Sequence, residues 1–422
     1  MKILIVNTYD RGGAANACIR LHEGLLEIGL SSKLLVLHKS RNITHSYQFD
    51  TPKKKAKKTI FSRVLNRFLS ILRINRNSKT TLFQKFLEQR ENDLDMFSSY
   101  SSVYDITESP FYKEADIVNL HWVAGFLDYK SFFAKNTKPI VWTLHDMHPF
   151  SNGPHYEEWY SKMGDQGRPE KRIWSKDEER WIAKFKIENA LIFNKVQNIT
   201  VVTPSKWLGI ASQNSLLFSR YRHQCIPYSL NRRVFKNLNK EFCRKILDIP
   251  LDKKVVLFVA EYFVKRRKGN EYMNKALEEL QSEELMLCNV GQIHTTLNKS
   301  YITNFGVIAD DRLLAIIYNA ADVFVIPSLM DNLPNTILES LMCGTPVIGF
   351  DIGGVPDMIK HKKNGMLVQD ISAQELAKSI KNFFESSENY NSTEISEDAQ
   401  ASYDLKVQAN RYYNLYESVL EK

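Results

Sequence analysis

The chain alternates short, branched apolar runs with longer amphipathic stretches, which is the pattern of parallel strands joined by crossover helices. In the first half the runs are "KILIVN", "SSKLLVL", "DIVNLHW", "KPIVWTLHD" and "NITVVTPS"; in the second they are "KVVLFVAEY", "LMLCNVG", "YITNFG", "DVFVIPS" and "TPVIGF". The expected fold class is α/β, with two doubly wound sheets whose ligands gather at the carboxyl ends of the strands. Between the halves, "CIPYSLNRRVF" has a proline and no periodicity, which places a hinge near Pro227 to Asn231. Residues 151–172, rich in Gly, Pro and polar side chains, read as a long loop on the first domain. From Ser402 to Lys422 the pattern is helical, with Leu405, Ala409, Tyr412, Tyr413, Tyr416 and Leu420 available for burial.

Length sharpens this picture: 422 residues suit two cores, and two domains imply a cleft. No apolar run approaches the roughly 18 residues that a membrane-spanning helix needs, so a soluble or peripheral protein is expected. "MKILIVNTYDRGG" lacks a signal-peptide cleavage site and reads as a mature first strand. Cys18, Cys225, Cys243, Cys288 and Cys343 show no C-x-x-C pairing and lie near apolar segments, which fits free thiols in a reducing cytoplasm.

The formal net charge of +9 is unevenly spread. Residues 51–87 hold Lys53, Lys54, Lys55, Lys57, Lys58, Arg63, Arg67, Arg73, Arg76, Lys79 and Lys85 and no acid. Within them, "IFSRVLNRFLSILRI" has the spacing of an amphipathic helix, suited either to an anionic membrane surface or to packing on its own domain. Nucleic acid is not an expected partner, because aromatic residues do not interleave with the basic ones as stacking platforms.

The candidate chemistry lies at strand and helix ends. In "MDNLPNTILESLMCGTPVIGF", Pro334 suits a first helical position and Gly344 the residue past the last turn. Ile337, Leu338, Leu341 and Met342 form the apolar stripe, which leaves Asn335 and Glu339 together on its edge. Asp331 precedes a helix N-terminus, where a phosphate is favoured and an acid can hold the hydroxyls of its carrier. On the residues alone, Asp331 reads first as an N-terminal cap and Glu339 as a solvated helix residue. In the first half, Gly12 and Gly13 of "TYDRGGAANA" let a ligand approach backbone N–H groups. This is not G-x-G-x-x-G, and no acid ends an unambiguous second strand, which argues against a nicotinamide cofactor. "NLHWVAGF" and "WTLHDMHPF" put His121 and His145 at strand ends, where a histidine can donate a hydrogen bond to a ligand or stabilise developing charge. Asp146 is placed either to orient His145 or to meet a ligand hydroxyl. No thiol joins the H-D-x-H run, so no metal is expected.

The order "KRRKG", "NAADVFVIPS", "DNLPNTILES", "GTPVIGFDIGGVPDMI" closely resembles glycosyltransferase family 4, whose members are two-domain GT-B enzymes. Asp331 and Glu339 stand in the places of the family's E-x7-E motif, with the first residue shortened to aspartate, and "DNLP" stands in its "EGFG" loop. "TLHDM", "VVTPSKWL" and "IPYSLNRRVF" also match family elements. A bacterial polysaccharide-biosynthesis subgroup shares the "DNLP" form and often has cysteines after "TLHDM", which this chain lacks.

The resemblance implies that 1–228 is an acceptor-side Rossmann-like domain carrying 51–87 as an insertion. It makes 229–400 a nucleotide-sugar-binding domain and 401–422 a helix that packs back on the first. It further implies that His145 and Asp331 meet the donor sugar. Gly13, Asn332, Leu333, Pro334 and Asn335 line the donor site, Glu339 binds the ribose, and His121 and Asp146 face the acceptor. Arg267 and Lys268 are the diphosphate candidates; the family's usual arginine, five residues before its lysine, is replaced here by Phe263. The expected activity is retaining, metal-independent transfer of a sugar from a nucleotide-diphosphate-sugar, a UDP- or GDP-sugar, to a glycan or lipid-linked glycan. The setting would be cytoplasmic or peripheral on the inner face of the plasma membrane. The rival readings are a sugar-nucleotide epimerase and a non-catalytic partner of a polysaccharide assembly complex.

Overall fold

The computed structural model describes residues 1–50, 81–260, 265–280, 282, 284–291 and 302–421. Most of the basic segment, including its amphipathic stretch, and Phe263 lie outside these residues.

Two all-parallel sheets form the frame. The first joins β1 (Lys2–Tyr9), β2 (Ser31–His38), β3 (Ser46–Gln48), β4 (Ile117–Leu120), β5 (Ile140–Thr143), β8 (Ile199–Thr203) and β9 (Arg222–Cys225) in the order β3-β2-β1-β4-β5-β8-β9. A hairpin of β6 (Tyr160–Met163) and β7 (Pro169–Lys171) stands apart from it. The second sheet runs β12 (Ile302–Asn304), β11 (Leu285–Gly291), β10 (Lys254–Ala260), β13 (Val323–Ile326), β14 (Val347–Phe350) and β15 (Gly365–Val368). Central strands such as β1 are buried along both faces, which is why they read as unbroken apolar runs. β3, β9 and β15, which that pattern does not predict, all lie at sheet edges. β9 is the clearest case: "RHQC" is half-buried to exposed and pairs on one side only.

The region 151–172 departs from the expected loop on the first domain. It carries the β6–β7 hairpin and reaches across to the second domain. Tyr156 and Tyr160 are buried in that domain's core beside Val256, Phe258 and Met330. The Gly167 carbonyl accepts from Ala373 N at 3.2 Å, and Arg168 pairs with Asp370 at 2.5 Å. Aromatic rings with a buried body and a polar tip anchor such a crossing well.

The last helix, Leu405–Leu420, packs along the first, Gly13–Glu27. Gly24 allows the approach, because a β-carbon there would stand 2.9 Å from the Leu405 carbonyl oxygen. The buried Tyr412 and Tyr416 reach the first sheet, bonding Thr143 at 2.9 Å and Asn119 at 2.7 Å. Leu415 joins them in the core, whereas Tyr413 is half-buried and Leu420 is 39% exposed. Just before this helix Leu230 pairs with Asp404, so the chain crosses between the domains twice at one place.

Candidate active site

The helix Asn335–Met342 begins one residue later than expected, with Pro334 in the capping position and no side-chain cap. Asp331 is therefore not spent as a cap. Gly344 takes φ +82° past the last turn. The loop Asp331–Pro334 is held from behind by "DIGGVP", where a β-carbon on Gly354 would stand 1.4 Å from the Asn332 carbonyl oxygen. Only glycine fits that approach.

Around Asp331 the structure gathers charge. Lys268 Nζ lies 2.6 Å and Arg267 Nη1 3.4 Å from its carboxylate, and both bases come from the short turn Arg266–Lys268 after β10. Burial alone would raise the Asp331 pKa, but Lys268 and Arg267 outweigh it and hold it below the usual carboxylate range. Arg267 also grips Asp95 and lies over the Tyr156 ring, 4.6 Å from its centroid. Arg266 pairs with Asp93 at 2.5 Å and with Glu91, while Lys265 donates to the carbonyls of Asn92 and Leu94 at 3.0 and 2.5 Å. Four positive side chains, Lys265 to Lys268, thus face four carboxylates: Glu91, Asp93, Asp95 and Asp331.

A second cluster forms around Glu339, which is not the solvated residue that its helix position suggests. It is 6% exposed, accepts from the Tyr318 hydroxyl at 3.1 Å and pairs with Arg20 at 3.5 Å. Burial raises its pKa, and Arg20 only partly opposes this. Arg20 belongs to the first helix and also reaches Asn335 at 3.3 Å, while Asn335 donates to the Gly13 carbonyl at 3.0 Å. Gly13, Asn335 and Glu339 therefore meet across the cleft.

The third cluster is uncharged. His121 Nδ1 and His145 Nε2 are 2.9 Å apart, and His145 Nδ1 is 2.7 Å from the Tyr228 hydroxyl. Burial lowers the His145 pKa to about 4 and the His121 pKa well below its ordinary value, so both rings are neutral at pH 7. Asn332 ties this cluster to the charged one, donating to the His145 carbonyl at 3.1 Å and accepting from Ser205 at 2.5 Å. Asp146 does not orient His145. Its carboxylate turns to His155 Nδ1 at 2.6 Å, Trp122 Nε1 at 2.8 Å and the backbone N–H of His148 at 2.9 Å. Leu333 is a core residue of the second domain. Among the described residues no group of three or more His, Cys, Asp or Glu side chains is arranged to hold a metal ion.

Sequence reasoning missed Arg20, Asp95, Tyr228 and Ser205. Two of these left a signal: an arginine inside the otherwise apolar "ACIRLHEGLL", and the acidic "ENDLD" close behind a long acid-free basic segment. Tyr228 and Ser205 look ordinary in sequence and are functional candidates only through what they touch.

Residues 253–386 match the family model "Glycosyl transferases group 1". The putative teichuronic acid biosynthesis glycosyltransferase TuaC of Bacillus subtilis is 30% identical over 200 residues, covering 46% of this chain and 50% of TuaC. A D-inositol 3-phosphate glycosyltransferase of Streptosporangium roseum is 25% identical, covering 64% of this chain and 61% of its own length. The chain thus spans about half to three fifths of these curated relatives. Sucrose-phosphate synthase from Thermosynechococcus elongatus superimposes with TM-score 0.67 at 18% identity, over 100% of this chain and 99% of that one. Anabaena Alr3699/HepE, in complex with UDP and glucose, does so with TM-score 0.61 at 15% identity, over 99% and 100%. With residues 253–386 matched by the model of the group 1 glycosyltransferases and both domains superimposed on these structures, the chain has the GT-B fold and its second domain is similar to that family.

Proposed function

We propose that this protein is a retaining glycosyltransferase that moves a sugar from a nucleotide-diphosphate-sugar, a UDP- or GDP-sugar, to a hydroxyl of a glycan or lipid-linked glycan in bacterial cell-surface polysaccharide assembly. The observation that carries this reading is the placement of Asp331 with Lys268 and Glu339 with Arg20 at one helix, facing neutral His145. An acid with a raised pKa and buried cations in one cleft are what a binding site for hydroxyls and a diphosphate requires.

In this reading Glu339 accepts from the ribose hydroxyls and Asp331 from those of the transferred sugar. Arg267 and Lys268 neutralise the diphosphate as it leaves, the role that a metal plays elsewhere. His145, neutral and oriented by Tyr228, holds a sugar hydroxyl. Domain closure aligns donor with acceptor and excludes water. The relationship to TuaC and the basic segment support the polysaccharide and membrane elements of the proposal. The basic segment would bring a cytoplasmic enzyme to an anionic bilayer bearing the acceptor. Unchanged binding to anionic vesicles after deletion of 53–76 would remove that element.

Thermal unfolding of wild type and Glu339→Gln across UDP-, GDP-, ADP- and dTDP-sugars, without added metal, tests the donor site. A shift for one donor that is absent in the variant supports the reading. No shift for any donor would sink it. Retention is read from the anomeric configuration of the product.

A further inference from the structure

Two short stretches that the donor chemistry leaves unused, "PSKW" after β8 and "GGVPD" after β14, meet across the two domains. The helix Lys206–Gln213 starts in the first of them with Ser205 as its cap, whose hydroxyl accepts from Leu208 N at 3.1 Å. The two earlier N–H groups, of Lys206 and Trp207, find their acceptor in the other domain, where Asp357 Oδ2 lies 2.7 and 3.3 Å away. A helix leaves its first N–H groups without intrahelical partners, and a carboxylate suits them through hydrogen bonding and the helix dipole together. The second domain thus completes the cap of a first-domain helix.

The same turn is held a second time. Ser205, 1% exposed, donates to Asn332 Oδ1, and the Asn332 amide donates in turn to the His145 carbonyl. One buried side chain of the second domain therefore spans the ends of β5 and β8. Asn332 and Asp357 are joined behind this contact by Gly354, which donates to the Asp331 carbonyl at 2.9 Å and accepts from Asp357 N at 3.2 Å. A β-carbon on Gly354 would stand 3.0 Å from that of Ser205, so the two domains touch here. Trp207 closes the seam by packing against the cores of both sheets. Buried polar groups that are satisfied only when two surfaces meet select one arrangement of those surfaces.

We propose that this seam is the latch of the cleft and that Asn332 is a positioning residue, fixing the loop that bears Asp331 against the strand end that bears His145. In the "EGFG" form of the loop a glycine takes the second place and can offer neither bond; the bridge belongs to the "DNLP" form. The part of this inference that ties the latch to the donor rests on the glycosyltransferase reading; the coupling of Asn332 to Asp357 does not.

Hydrogen–deuterium exchange of the whole chain, followed in peptides covering Lys206 to Leu208, tests both parts. Asp357→Ala should speed exchange there about fivefold, the factor equivalent to one lost helix cap, and Asp357→Asn, which keeps an acceptor, should restore most of the protection. The deciding variant is Asn332→Gly: residue 332 touches neither the Lys206 nor the Trp207 N–H, yet the same peptides should exchange about threefold faster as the latch opens, with β1 and β10 as in wild type. UDP or GDP should slow these peptides in wild type and much less in Asn332→Gly. Exchange at 206–208 indifferent to Asn332→Gly, or a rise shared by β1 and β10, would overturn the latch. Equal slowing by nucleotide in both proteins would overturn the positioning role. A latch opened by Asn332→Gly but indifferent to both nucleotides would stand by itself and count against the donor site.

Discussion

The two faces of the cleft handle polarity in opposite ways. The second-domain face is built of opposite charges in contact: Lys268 and Arg267 on Asp331, and Arg267 and Arg266 on the acids of "ENDLD" from the other domain. The first-domain face has buried imidazoles that burial keeps uncharged, joined to one another and to a tyrosine. The difference teaches what each face can give a ligand. A charged cluster already neutralised by acids of both domains admits an anion only by releasing some of them, whereas the uncharged histidine cluster can meet hydroxyls without rearranging charge.

The most severe way to break the charged face is to remove one partner. Lys268→Met leaves Asp331 buried with only the more distant Arg267, and we expect a loss of about 3 kcal/mol of unfolding free energy, the cost typical of an orphaned buried charge, measured by urea titration. A loss of a few tenths would mean that the pair is wet.

Acid attacks the uncharged face. The imidazoles of His145 and His148 titrate near 6.5 in the unfolded chain but at about 4 and 3 in the folded one. Stability is therefore full above about pH 6.5 and is withdrawn as the pH falls through 4, because the unfolded chain takes up protons first. For His145 alone this amounts to roughly 3 kcal/mol. Melting temperature against pH should drop steeply over that interval, and His145→Asn should flatten part of the drop. A curve unaltered by that variant would place His145 in solvent.

Glu339→Gln separates function from stability. Its raised pKa means that the carboxylate is held at a cost above pH 4.5, so the variant should melt at or slightly above wild type, within about 1 kcal/mol. It should nonetheless lose the thermal shift given by a nucleotide sugar. The smallest effect sharpens the comparison: in Glu91→Gln/Asp93→Asn, whose carboxylates are partly exposed, stability should change by less than about 1 kcal/mol. UDP should bind roughly threefold more tightly in isothermal titration, since two competitors for the basic turn are gone. Unchanged affinity would show that these acids do not compete with the diphosphate.

These differences also explain what the sequence made legible. Central strands such as β1, β10 and β13 announce themselves because both faces are buried; edge strands such as β9 do not, since one half of each is solvated. Asp331, Glu339 and Lys268 became candidates through the family resemblance, since spacing alone reads Asp331 as a cap and Glu339 as a solvated helix residue. Their partners did not, because Arg20 and Asp95 are set in the first domain and meet them only when the two sheets face. Asp146 shows the opposite error: adjacency to His145 suggested a pair, yet successive residues at a strand end turn to different neighbours, here Tyr228 for one and His155 for the other.

The helix Leu405–Leu420, packed on the first helix and bonded through Tyr412 and Tyr416 to the first sheet, has a consequence for synthesis on the ribosome. The second sheet is contiguous in the chain and can assemble as soon as it has emerged. The first sheet is translated earlier, yet its covering lies beyond the whole of the second. The domain made first is therefore the one finished last, and in the interval the face around Gly24, Asn119 and Thr143 is open to whatever binds nascent apolar surface.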